Sequence, residues 1–104
     1  MLTLSIRYTL DAGKLADFAA YAREVPAHAV RCGALAAAYY LPTKFAGPTN
    51  HALALIDFAS LAAYEQYREM LARDAAAASV LCRVEATGCI LVEDRSILSR
   101  AASA

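Results

Sequence analysis

An α+β fold in the order β-α-β-β-α-β is predicted by three features of the sequence. Residues 2–9 alternate, with Leu2, Leu4, Ile6 and Tyr8 on one side and Thr3, Ser5 and Arg7 on the other. That period of two marks a strand with one apolar and one mixed face. Leu15, Phe18, Ala22, Val25 and Ala29 then recur at spacings of three and four, the stripe of an amphipathic helix. Later the apolar run 52–56 and Phe58 lead through Ser60 into a second helical pattern, so a strand-to-helix junction repeats the first half.

The elements follow in order. Asp11 suits a helix N-cap and Gly13 a turn, so residues 14–31 read as helix. Pro26 lies inside it, removes the hydrogen bond to the Ala22 carbonyl, and is expected to kink or break the helix near Val25. Gly33 suits the helix end. Residues 34–41 read as an alanine-rich strand ended by Pro42, and residues 43–50, with Gly47, Pro48 and Asn50, as a loop. Residues 51–58 form the third strand. Ser60 caps the next helix, whose wheel gathers Leu61, Ala63, Tyr64, Tyr67, Met70 and Leu71 on one side and Glu65, Gln66 and Glu69 opposite. Tyr64 and Tyr67 are expected to pack beneath it. Asp74 interrupts or re-caps that helix before a further segment at 75–85, Gly88 ends it, and residues 89–97 form the last strand. Right-handed crossovers put both helices on one face of a four-stranded antiparallel sheet. This is the ferredoxin-like arrangement, here a single domain over residues 1–98 with a frayed tail at 99–104.

In the second and third strands both alternating sets are largely apolar. Leu35, Tyr39 and Leu41 oppose Tyr40 and the alanines; Leu53 and Leu55 oppose Ala54, Ile56 and Phe58. Helices cover one face only, so the other is expected to be an interaction surface. A second copy of the sheet in a two-fold homodimer is the simplest cover. Composition agrees: 60% of the 104 residues are hydrophobic, against a usual share of about 45–50%.

The ten basic and ten acidic residues cancel, which gives no electrostatic reason to expect nucleic acid or an anionic membrane as partner. No apolar stretch approaches the ~20 residues of a membrane span, and residues 1–6 lack the basic start of a signal peptide. Cys32, Cys82 and Cys89 have no close pairing, which points to a reduced, cytoplasmic setting. No metal is expected, since no Cys/His cluster has ligand spacing, and no cofactor motif is present.

Residues 58–68, Phe-Ala-Ser-Leu-Ala-Ala-Tyr-Glu-Gln-Tyr-Arg, resemble the strand-to-helix signature of the NIPSNAP family. Lys14-Leu15-Ala16-Asp17-Phe18 with Tyr21-Ala22-Arg23, then Tyr39-Tyr40-Leu41-Pro42, and then Thr87-Gly88-Cys89-Ile90-Leu91 leading to Arg95-Ser96 agree in order and spacing. The resemblance runs over roughly residues 2 to 98. It implies the dimeric α/β-barrel superfamily, in which two sheets pack face to face and a cavity often lies between sheet and helices. Some members bind haem; others are cofactor-free oxygenases or isomerases. Relatives often carry a histidine or other polar residue where this chain has Ala36-Ala37-Ala38, and a tryptophan near the first-helix proline. Both departures imply a smaller or more apolar pocket, and no catalytic assignment is carried over.

Six side chains are candidates for a ligand site. Arg7 offers paired donors to a carboxylate or enolate oxygen; otherwise it makes an edge or interface salt bridge. His28, after the Pro26 kink and near Tyr21 on the wheel, offers a general acid/base near neutral pH; otherwise it sits at a frayed helix end. His51 begins the third strand, at a pocket mouth or in solvent. Tyr39 offers a hydroxyl to a ligand or packs in core or interface. Arg95 pairs with a ligand or with Asp57, Glu93 or Asp94. Two functions follow: a homodimer that binds a small organic ligand or a protein partner, or a cofactor-independent oxygenase or isomerase with His28 as base and Arg7 as oxyanion anchor.

Overall fold

The computed structural model describes residues 1–101, which form β1 (Leu2–Leu10), α1 (Leu15–Arg31), β2 (Ala36–Tyr40), β3 (His51–Phe58), α2 (Leu61–Arg73), α3 (Ala75–Thr87) and β4 (Ile90–Ser99). The strands make one antiparallel sheet in the order β2-β3-β1-β4. This is the expected ferredoxin-like sheet.

Register follows from the alternation in β1. Leu4 lies opposite Ile56 and Ile97, Ile6 opposite Ala54 and Arg95, and Tyr8 opposite Ala52 and Glu93. These positions share the helix side of the sheet. Leu4, Ile6, Tyr8, Leu10, Ala52, Ala54, Ile56 and Phe58 are all buried there. Phe18, Tyr21, Ala22, Val25 and Ala29 of α1 pack down on them. Near the start of β4 the pairing shifts: Thr9 faces Val92 but Leu10 faces Ile90. Leu91 is therefore the extra residue of a β-bulge.

Local chemistry sets the helix boundaries. Asp11 accepts the Gly13 N–H at 2.9 Å and holds a short 3₁₀ turn, Ala12–Lys14, that feeds α1. Ser60 Oγ accepts the Ala63 N–H at 3.1 Å and starts α2. Asp74 ends α2 and accepts the Ala77 N–H at 2.9 Å to start α3. Each oxygen satisfies a first-turn donor left without a partner inside its helix. Gly88 closes α3 at φ 67°, a left-handed conformation that a Cβ disfavours.

Four expectations change. α1 is not broken at Pro26: it is one helix from Leu15 to Arg31. Val25 and Ala29, on either side of the proline, are both buried, and their packing spans the missing hydrogen bond. The second helical half is two helices joined at Asp74, so three helices rather than two are present among the described residues. Leu61 and Met70 do not join the core face of α2; they are 54% and 50% exposed. That helix meets the sheet through a narrow stripe in which Tyr64 and Tyr67 pack on Phe58 at ring separations of 5.2 and 4.9 Å. Ser99, placed in the tail by the sequence pattern, is the last residue of β4 and pairs with Leu2; the end of the tail, 102–104, lies outside the described residues.

A cavity between sheet and helices

A cavity of about 580 Å³ lies between the helix side of the sheet and the three helices. Its floor includes Leu4, Ile6 and Ile56, and its far wall includes Leu71, Leu81 and Val84. α2 meets the sheet through the rings of Tyr64 and Tyr67 on Phe58, with Leu71 also packed against the core.

Polar groups gather at one side of it. Tyr21 from α1, Tyr39 from β2 and Tyr67 from α2 line the cavity, with Glu93 and Arg95 from β4. Tyr21 and Tyr39 meet edge to face at 5.9 Å, and Tyr8 stacks behind Tyr39 at 6.3 Å. Burial pushes the phenols of Tyr8, Tyr21 and Tyr39 well above their ordinary range, because a phenolate would lose its solvation. All three therefore keep their protons at ordinary pH. Tyr8 is only 2% exposed, and its hydroxyl is the buried side-chain oxygen among the described residues that completes no hydrogen bond. Arg95 Nη2 donates to Glu93 Oε1 at 3.2 Å. With Arg68 and Glu85 the cavity wall carries two charges of each sign.

The fold separates the six candidate residues. Tyr21, Tyr39 and Arg95 converge on the cavity. Arg7 does not: it alternates with Ile6 and Tyr8, stands on the opposite side of the sheet, and pairs with Asp94 at 3.6 Å. His51 is exposed and opposite Thr9, on that same open side. His28 lies near the end of α1, outside the cavity lining, and its Nδ1 accepts from Arg31 Nη1 at 2.7 Å. Arg31 in turn donates to Asp74. His28 and Arg7 thus share no ligand position.

Tyr67, Arg68, Glu85 and Glu93 line the cavity and, like the buried Tyr8 beside it, were not among the sequence candidates. Tyr8 was placed in the core by its alternation, yet it is the one oxygen-bearing side chain between Ile6 and Leu10 on the buried face, and that oxygen was the available signal. Glu93 and Arg95 lie two apart on one strand, so they face the same way; their spacing, more than either residue alone, pointed to the cavity side. Among the described residues no group of three His, Cys, Asp or Glu side chains is arranged to hold a metal ion, and no helix is long and apolar enough to cross a membrane.

The NIPSNAP family model matches residues 4–104. A comparison with curated proteins finds no match. Among solved structures, a NIPSNAP domain protein from Burkholderia xenovorans superposes with a TM-score of 0.79 at 19% identity, over 98% of this chain and 96% of that one. A NIPSNAP family protein from Agrobacterium tumefaciens gives 0.77 at 21% identity, over 96% and 85%. SnoaB, a cofactor-independent oxygenase from Streptomyces nogalater, gives 0.72 at 16% identity, over 98% and 94%. At such identities the superpositions speak for the fold alone. The family model spans nearly the whole chain, from the second inward residue of β1 through β4 and beyond, and on that match this protein belongs to the NIPSNAP family.

Proposed function

We propose that this chain is a homodimeric binding protein for a small organic ligand held between sheet and helices. The observation that carries the reading is the cavity itself. Its volume of about 580 Å³ falls within the range of small-molecule sites, about 300–1,000 Å³, and apolar walls with a few convergent polar groups are the usual composition of such sites. The open face of the sheet supports self-association. Ala38, Leu53 and Leu55 lie side by side there with Tyr40, and Val92 and Leu98 extend the apolar surface on β4. The free cysteines Cys32, Cys82 and Cys89 support a reducing, cytoplasmic setting. The test is a fluorescence titration with 1-aminoanthracene, a neutral apolar probe, alongside native mass spectrometry. Saturable binding of one probe per subunit of a dimer is expected; no saturable binding overturns the ligand reading.

A second reading, a cofactor-independent oxygenase or isomerase, draws on the likeness to SnoaB. In it Glu93 or Glu85, the carboxylates that line the cavity, takes the proton in place of His28. Oxygen uptake with a panel of phenolic substrates tests it, and loss of uptake in Glu93→Gln is the expected signature.

A further inference from the structure

The cavity has two charged walls. On the sheet, Glu93 and Arg95 lie two apart on β4, opposite Tyr8 and Ile6 of β1, and so stand on the helix side. On the helices, Arg68 of α2 and Glu85 of α3 line the same space. Each wall therefore carries one charge of each sign. The sheet pair is joined by one contact, Arg95 Nη2 to Glu93 Oε1 at 3.2 Å, and its side chains stay 42% and 38% exposed. So wet a pair is weakly held and exchanges partners readily. Arg68 and Glu85 form no ion pair among the described residues.

A ligand in this space meets both signs at once. A neutral body gains from the apolar floor, but it takes water from four charges and offers none of them a partner. A carboxylate alone is drawn to the arginines and repelled by the glutamates; an ammonium alone meets the reverse. An amino acid suits both, because its ammonium and carboxylate sit on one carbon. Across Glu93 and Arg95 one internal ion pair opens and two charge-assisted pairs form. The Arg95 guanidinium is a planar fork of five N–H donors, and the contact with Glu93 uses one of them. Resting on the ligand-binding reading above, we propose that the cavity takes a zwitterionic amino acid with a large apolar or aromatic side chain, its ammonium on Glu93 and its carboxylate on Arg95.

Position and size select the same class. Ile6 is the register partner of Arg95 and is itself part of the floor, so apolar surface begins beside the charged pair. A volume of about 580 Å³ leaves room for a bicyclic ring on the amino acid, and Tyr39 and Tyr67 of the lining give it aromatic neighbours. Glu93 and Arg95 are the residues in contact with the ligand head. Arg68 and Glu85, on the helix wall, keep the surroundings neutral as a whole and so favour neither a net cation nor a net anion.

Four probes with one ring system separate these cases: 3-(2-naphthyl)-L-alanine, 2-(2-naphthyl)ethylamine, 3-(2-naphthyl)propanoate and 2-ethylnaphthalene, titrated at neutral pH by naphthyl fluorescence. The wild-type protein is expected to bind the amino acid at least tenfold tighter than the amine or the propanoate, about the fold-change of one charged hydrogen bond. Glu93→Gln should weaken the amino acid about tenfold and strengthen the propanoate, because Arg95 is released. Arg95→Gln should weaken the amino acid to a similar extent and strengthen the amine, because Glu93 is released. Neither variant should change the binding of 2-ethylnaphthalene, which reports an intact cavity. If Glu93 and Arg95 only brace β4, each variant moves all four probes in the same direction, and that result overturns their assignment. Binding of 2-ethylnaphthalene with no preference for the amino acid over the amine or propanoate overturns the proposal and leaves the cavity standing as a site. Failure of all four probes to bind overturns the proposal and the ligand-binding reading together.

Discussion

Arg31, the last residue of α1, donates to the carboxylate of Asp74, the single residue on which α2 ends and α3 begins. The same carboxylate oxygen accepts the Ala77 N–H. The Arg31 guanidinium first, and the Ala77 N–H with it, pull the Asp74 carboxyl from its ordinary 3.8 down to about 2. One side chain thus joins the helix break to the first helix.

A pH dependence follows from that pair. The Asp74 carboxyl is more acidic in the folded chain than in the unfolded one, so the unfolded chain takes up a proton first as pH falls. The contribution is whole above about pH 4 and disappears between there and about pH 2. Asp74→Asn keeps a competent helix cap but loses the ion pair. Urea midpoints measured from pH 6 down to pH 2 should show a shallower acid fall for the variant than for the wild type.

Phe58 is the hinge of the packing between β3 and α2. It is fully buried and touches both Tyr64 and Tyr67. Phe58→Ala should lower unfolding stability by about 3–5 kcal/mol, the usual effect of emptying an aromatic core site. Chemical denaturation checks it, and a loss below about 1 kcal/mol would mean that α2 does not depend on this contact.

Gly88 ends α3 at φ 67°. A Cβ built there has room, its near neighbour being Lys14 Nζ at 3.5 Å, so backbone strain rather than a clash decides the outcome. Gly88→Ala should destabilise by about 1–2 kcal/mol. A thermal melt measures this, and a neutral result would argue that the turn relaxes.

The proposed self-association runs through the open face, where Leu55 sits between Ser5 and Ala38 in the register. Leu55→Glu puts an unpaired charge at the centre of that face. Sedimentation velocity should show a wild-type dimer and a variant weakened on the order of a hundredfold or more, since a buried uncompensated charge costs about 3 kcal/mol or more. A variant that stays dimeric at the same concentrations would move the interface elsewhere.

Much of this architecture was legible because the interactions that dictate it are local. The alternation of Leu4, Ile6 and Tyr8 against Ser5 and Arg7 put the correct side chains under the helices. It also, read strictly, placed Arg7 away from them. Ser60 and Asp74 announced helix starts because a cap oxygen acts within three residues. Pro26 misled for the opposite reason: its local penalty is real, but the burial of Val25 and Ala29 against distant strands outweighs it. The site was less legible still. Tyr8, Tyr21, Tyr39, Tyr67 and Arg95 come from five different elements, and their convergence depends on how far α2 and α3 stand off the sheet, a distance that no short segment encodes.

The cavity is the center of the functional account, and filling it is the most direct test. Ala72 of α2 lines it and is itself exposed, so Ala72→Trp can put an indole at its wall without displacing a core side chain. The measurement is 1-aminoanthracene binding to wild type and to Ala72→Trp, with circular dichroism to confirm that both are folded. The account predicts saturable binding by the wild type and at least a tenfold weaker affinity in the folded variant, the loss of about 1.4 kcal/mol. Equal binding by the two proteins would place the probe elsewhere and contradict it.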